Sequence, residues 1–374
     1  MAYSRRYQIS LSFLTLALAV LVGCNSSNNN QAAQSNRIIG AGSTFINPIM
    51  THWIADFQQS HPGVQINYQS IGSGGGIQQL KQGLVDFGAS DAALDDEKLK
   101  EMPALDDEKL KEMPALVQIP ESAGPVCITY NLPEVKNPLK LSGQTLARIY
   151  LGQIKTWQDP AIKKDNPGVN LPNHPVAVTH RSDGSGTTNI FTEYLAKVSP
   201  DWQSKVGKGL SVSWPVGLGG KGSEGVSGLV KQTPGAIGYV ELSYATENKL
   251  PVADIKNRAD QWVAPSPAGA TAAIDAFHEE LAKDVRTAIV DPPASAKDAY
   301  PISGLTFLLV PKQAKDPQKG TIVKDFVQFI ITQGQSSAEG LQYSKLPESL
   351  AQQDQKLLGE IGGGQQAAND VPAR

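Results

Sequence analysis

Three times in this chain a short turn of glycine, serine and threonine stands directly before a helical pattern: Gly42-Ser-Thr-Phe45, Gly72-Ser-Gly-Gly-Gly76 and Asp183-Gly-Ser-Gly-Thr187. Strand-like runs alternate with these helical patterns from residue 37 onward, an order that restricts the chain to an α/β architecture. Arg37–Gly40 reads as a short strand, and Ile46, Ile49, Met50, Trp53, Ile54 and Phe57 follow at helical spacing, with Pro48 in the first turn where proline is tolerated. Val64–Tyr68 alternates as a strand, and the second turn opens a helix through Ile77, Leu80 and Leu84. Asp86–Asp91 is the next short strand and ends in a carboxylate. Val176–Thr179 precedes the third turn, and Ile190, Phe191, Tyr194 and Leu195 mark the helix after it. Leu305–Val310 is a continuous apolar strand, followed by an amphipathic helix from about Thr321 to Thr332.

The chemistry of the turns follows from their place. A helix start presents unpaired N–H groups and a partial positive charge, so each turn offers a seat for an anion oxygen, and Ser or Thr hydroxyls add donors. Each turn taken singly is equally an ordinary N-cap, since Ser and Thr favour that position. Arg181 sits four residues before Ser185, where its guanidinium reaches a ligand held by the same turn, and Asp183 is spaced to fix the orientation of the fork. Three helix starts together point to a tetrahedral oxyanion. Gly217-Leu-Gly-Gly-Lys-Gly222 matches a dinucleotide fingerprint, but Trp214-Pro215 makes a poor parallel strand and Gly225 opposes an immediate long helix, so the segment is read as a packing loop. No phosphate-loop G-K-[ST] ending and no G-x-S-x-G elbow occurs, and the five histidines lack metal-ligand spacing. No catalytic residue, metal or cofactor is therefore assigned.

The ends and the composition set the location. Arg5 and Arg6 precede an apolar run from Ile9 to Val22, which is short for a membrane span and suited to a signal peptide. Leu21-Val22-Gly23-Cys24 resembles a bacterial lipobox, with Cys24 as the lipidated residue, and residues 25–36 read as a polar tether. Arg5-Arg6 also partly resembles a twin-arginine signal, so the export route stays open. With 33 basic against 36 acidic residues, the chain carries no field for nucleic acid, and membrane attachment rests on the lipid alone. Cys127 is the only other cysteine, so no internal disulfide is expected, and its strand-like surroundings mark it as a buried hydrophobe. Residues 93–103 recur unchanged as 104–114, a tandem duplication expected to form a surface excursion that leaves Asp91 in place. The tail from Gly362 to Arg374 has no periodicity and is expected to be disordered.

Taken together, Gly40–Phe45, Ile71–Gly75, Asp86–Asp91, Arg181–Thr187, Trp214–Gly222 and Pro234–Glu241 closely resemble, in order, the periplasmic phosphate-binding protein of bacterial phosphate ABC transporters, from about residue 38 to residue 350. The resemblance implies a type II periplasmic-binding fold: two α/β domains with mixed sheets, joined by a two-segment hinge around a ligand cleft. The division expected is a signal peptide 1–23, a lipid-anchored linker 24–36, domain I from 37–121 and 300–358, domain II from 122–299, and a disordered tail 359–374. By matching positions it assigns phosphate contacts to Thr44, Phe45 through its N–H, Ser73, Asp91, Arg181, Ser185, Gly186 through its backbone, and Thr187, with Asp183 supporting Arg181. His180 departs from the family, which often has a second basic residue there, and strand alternation points it away from Arg181.

The implied protein is a monomer in the cell envelope that binds inorganic phosphate and delivers it to the permease subunits of an ABC transporter. An envelope phosphate sensor or scavenger, or a binder of another tetrahedral oxyanion, is the alternative. Asp91 favours phosphate, because phosphate near neutrality still carries a proton to donate to a carboxylate, whereas sulfate has none.

Overall fold

The computed structural model describes residues 36–94 and 116–362, and its fold is built on a sheet of eight strands in the order β2-β1-β3-β11-β4-β8-β6-β7. The expected strand at residue 37 is β1 (Arg37–Gly42), and its helix is α1 (Asn47–Ser60), with Pro48 at the start and Ile49, Met50, Trp53 and Phe57 buried along one face. That i, i+4 spacing places all four toward the sheet. Burying side chains of this size contributes roughly 1.5–3 kcal/mol each. The one polar atom of Trp53 is satisfied, since its Nε1 donates to Gly334 O at 2.8 Å. β2 (Gln65–Ser70) and β3 (Phe87–Ser90) flank β1 in parallel, with α2 (Ser73–Lys81) between them in the chain. This helix stops one turn before Leu84, which the spacing had included. Gly83 takes φ +66°, a left-handed conformation that ends the helix, and Leu84 is 60% exposed beyond it.

β4 (Leu116–Tyr130) is the longest strand and connects two half-sheets. Its residues from Leu116 to Pro125 pair antiparallel with β11 (Ser303–Pro311), and Val126–Tyr130 pair antiparallel with β8 (Ala236–Glu241). β11 is buried on both faces except at its last residue, the state expected of an uninterrupted apolar run. Its register on β4 slips at Thr306/Phe307, opposite Ser122 and Pro120. Cys127 lies on β4 as a buried free thiol.

On the far side of β8 come β6 (Ala177–Arg181) and the edge strand β7 (Leu218–Gly220), both parallel. A small sheet of β5 (Lys140–Leu141), β9 (Asp254–Lys256) and β10 (Trp262–Val263) stands apart from them. α3 (Gly143–Tyr150) and α4 (Pro160–Asp165) precede β6 in the chain. α5 (Gly186–Val198) follows it and buries the expected Ile190, Phe191, Tyr194 and Leu195. After α6 (Pro200–Lys205), the glycine-rich segment that was read as a packing loop proves to be a strand–turn–helix unit. β7 leads into α7 (Gly222–Gln232), and Gly225 serves inside that helix by letting it approach the backbone of Gly220. The helix expected from Thr321 to Thr332 is α11 (Pro317–Ile331), following α8 (Leu242–Glu247), α9 (Pro267–Ala276) and α10 (His278–Lys283) in the chain. α12 (Glu348–Gly359) closes the described chain. Most of the duplicated segment, the signal and anchor region with Cys24, and residues 363–374 lie outside the described residues. Among the described residues no helix is long and apolar enough to cross a membrane.

Candidate functional site

The three sequence turns meet, and a fourth helix start joins them. The turn after β1 carries Ser43, Thr44 and Phe45. Ser73 is the first residue of α2, Asp91 follows β3, and Arg181 ends β6. Ser185 caps α5, whose first two residues are Gly186 and Thr187, and Ser223 lies at the start of α7. These elements end here because parallel strands followed by helices place their carboxyl ends and helix N-termini at one edge of a sheet. Every one of these side chains is buried.

Hydrogen bonding ties the groups into one network. Ser73 Oγ accepts from Asp91 N at 3.3 Å and from Gly186 N at 3.1 Å. A serine hydroxyl has two lone pairs and one proton, so Ser73 is left with only its proton to offer. Asp91 receives the Ser43 hydroxyl on Oδ1 and the Thr187 hydroxyl on Oδ2, the latter at 3.4 Å. Burial pushes the Asp91 carboxyl up to about 6, against the opposing pull of the Ser43 hydroxyl and the Arg181 charge.

Arg181 is held as a fork by Asp183, with Nε to Oδ1 at 2.8 Å and Nη2 to Oδ2 at 2.6 Å. Asp183 Oδ1 also accepts from Gly222 N at 3.0 Å, and the Arg181 partnership holds its carboxyl below the usual range in spite of partial burial. The remaining guanidinium nitrogen, Nη1, faces Thr187 Oγ1 at 3.5 Å and Ser223 Oγ at 3.4 Å. The Arg181–Asp183 pair thus forms within one turn, as its spacing implies. Ser185 Oγ accepts from Thr188 N at 3.1 Å, the ordinary N-cap role, which still leaves its proton. Phe45 is buried, its carbonyl accepting from Tyr343 OH at 2.6 Å. His180 stacks on Trp214, with ring centroids 4.8 Å apart, and its Nδ1 lies 3.0 Å from the Arg181 carbonyl oxygen.

Two glycines permit the approach. A Cβ on Gly186 would lie 2.6 Å from Asp91 Cβ, and one on Gly72 would lie 2.3 Å from Asp183 Oδ2 with φ already at +85°. The turns also bond directly, Gly74 N donating to Gly184 O at 2.9 Å. Sequence reading missed Ser43, Ser223 and Glu241. Thr44 Oγ1 and Ser223 Oγ are 2.9 Å apart, and Ser223 Oγ is 3.0 Å from Glu241 Oε2. Ser43 lies in the first of the three turns. Ser223 directly follows the glycine cluster 217–222. Among the described residues no cluster of His, Cys, Asp and Glu could hold a metal ion.

What this arrangement offers is a ring of proton donors, one guanidinium and one acceptor carboxylate, a set suited to a small oxyanion that carries a proton.

The comparisons with known proteins fit that chemistry. A family model described as a PBP superfamily domain matches residues 27–333. A phosphate-binding protein PstS from Xylella fastidiosa (strain Temecula1) is 41% identical over 361 residues, covering 91% of this chain and 95% of that protein. One from the archaeon Methanocaldococcus jannaschii is 38% identical over 364 residues, covering 90% and 91%. Among solved structures, a phosphate-binding protein from Stenotrophomonas maltophilia superposes with a TM-score of 0.61 at 18% identity, over 85% of this chain and 92% of that one. The fold is the type II periplasmic-binding fold. With its identity spread over nine-tenths of both chains, this protein belongs to the PstS family of phosphate-binding proteins, within the PBP superfamily.

Proposed function

We propose that this chain binds inorganic phosphate in the cell envelope and hands it to the permease of a phosphate ABC transporter, as a binding module and not as an enzyme. The observation that carries the reading is the buried meeting of Thr44, Ser73, Asp91, Arg181 and Thr187, drawn from strand ends and helix starts that lie up to 143 residues apart in the chain (Thr44 to Thr187). In this reading the hydroxyls of Thr44, Ser73 and Ser185, the N–H groups of Phe45 and Gly186, and Arg181 donate to phosphate oxygens, and Thr187 turns its hydroxyl proton from Asp91 Oδ2 to the ligand. Asp91 accepts the proton that phosphate retains. Asp183 keeps the guanidinium aimed. Family membership and the donor set both support this assignment, and Cys24 is the proposed lipid anchor that keeps the protein at the membrane.

The ligand is gripped between two lobes, 37–121 with 300–358 and 122–299. Support comes from β4, which borders β11 as far as Pro125 and β8 from Val126 onward, while β11 begins at Ser303 beside that exchange and slips register at Thr306/Phe307. Closing such a cleft removes water and strengthens each bond to the ligand.

Titration calorimetry with phosphate and sulfate tests the assignment. The native chain is expected to prefer phosphate by roughly 10⁴-fold, since a site dependent on a ligand proton leaves a buried carboxylate unpaired against sulfate. Asp91→Asn should lose most of this preference while retaining oxyanion binding. A variant that discriminates as sharply as the native chain would refute the role given to Asp91.

A further inference from the structure

Glu241, at the end of β8, is 1% exposed and lies beneath the anion site without a part in the assignment above. Its Oε2 contacts Ser223 Oγ at 3.0 Å, while Oε1 has no hydrogen-bond partner among the described residues. Ser223, also 1% exposed, has its hydroxyl 2.9 Å from Thr44 Oγ1 and 3.4 Å from Arg181 Nη1, and its backbone N–H donates to Thr44 Oγ1 at 3.3 Å. Glu241, Ser223 and Thr44 therefore form a chain of oxygens that ends at a residue placed on the phosphate.

Counting protons decides what this chain does. A hydroxyl has one proton and two lone pairs. If Glu241 is a carboxylate, Ser223 gives it its only proton. Thr44 then keeps a free lone pair, which an anion would face with repulsion. If Glu241 carries a proton, it donates to Ser223, and Ser223 turns its own proton to Thr44. Thr44 then accepts from both the N–H and the O–H of Ser223, so both lone pairs are filled and its single proton is directed outward. Ser223 is also satisfied, with its two lone pairs facing Glu241 and Arg181.

The surroundings favour the protonated form. Ionisable groups facing Glu241 are Arg181 from β6, Asp91 after β3, Cys127 on β4, Tyr244 on α8 and Tyr343, and of these only Arg181 is cationic. Arg181 is already committed to Asp183. Burial is the largest influence and raises the carboxyl well above its ordinary range.

We propose that Glu241 is a positioning residue for anion binding, its protonated carboxyl heading a hydrogen-bond chain through Ser223 that aims the Thr44 hydroxyl at the ligand. This role rests on the phosphate reading of the site. The test is calorimetric titration of inorganic phosphate into the full chain and its Glu241→Leu, Glu241→Gln, Ser223→Ala and Ser223→Ala/Glu241→Leu variants, with the melting temperature of each ligand-free protein. Glu241→Leu, which lacks a donor, should bind about tenfold more weakly, the loss of about one directed hydrogen bond, without melting below the native chain. Glu241→Gln restores a permanent donor and should recover most of that loss. The double variant should bind no more weakly than the weaker single variant, since either substitution breaks the same chain.

Native-like affinity in Glu241→Leu, failure of Gln to rescue, or additive losses in the double variant would each overturn the role while leaving phosphate binding intact. Absence of phosphate binding by the native chain would instead overturn the phosphate reading and this role together.

Discussion

Arg181 shows how much one side chain depends on its neighbours. Two of its nitrogens are spent on Asp183 in a planar fork, which fixes the direction of the third toward Thr187 and Ser223. A lysine keeps the charge but has a single flexible ammonium and cannot be held this way. Arg181→Lys is therefore expected to weaken phosphate binding by roughly 10–100-fold, the range of one or two charge-assisted hydrogen bonds, when read by calorimetry at neutral pH. The Arg181–Asp183 pair was legible in the sequence because both residues belong to one turn. Ser223 and Glu241 were not, since no local spacing ties Ser223 to Thr44, 179 positions earlier. Glu241 in addition reads as an ordinary strand terminus until β8 is seen to end beneath α7.

At the level of elements, the site is made by helix starts brought into backbone contact. Ser73 accepts from Gly186 N, and Gly74 N donates to Gly184 O, so α2 and α5 meet through atoms that a side chain would separate. Gly186→Ala would place a methyl 2.6 Å from Asp91 Cβ and 2.7 Å from its backbone N, forcing the two turns apart. Overpacking of this kind typically costs 1–3 kcal/mol. The ligand-free melting temperature should consequently fall, and phosphate affinity with it by roughly 10–100-fold, a pairing of outcomes that thermal unfolding and titration can check. The α/β alternation and most elements were readable from hydrophobic period and turn chemistry. The glycine-rich segment at 217–225 was misread because glycine inside a helix normally argues against one. Here Gly225 is retained because α7 packs against Gly220 at a distance that excludes a Cβ.

The whole molecule also carries a buried carboxyl on its last described helix. Asp354 on α12 is fully buried, with neither carboxylate oxygen hydrogen-bonded to a described residue, and burial pushes its carboxyl up to about 8. A folded-state value raised above the unfolded one means that the folded protein holds a proton which the unfolded chain releases. The native chain accordingly loses stability as pH rises from about 4 toward 8, with no further loss from this group beyond that. Asp354→Asn cannot ionise, so its stability relative to the native chain should climb by about 1.4 kcal/mol per pH unit across that window and stay level outside it. Urea unfolding of both proteins at a series of pH values reads the difference directly. Glu121, also fully buried with its carboxyl pushed up to about 8, gives a parallel slope in both proteins, so it cancels.

β4 carries a mechanical consequence of its own. Its first ten residues border one half-sheet and its last five border the other, so a single uninterrupted backbone is common property of both. Peeling either half away strips ladder bonds from a strand that the other half needs as its margin. The two half-sheets are thereby bound to stand or collapse as one body.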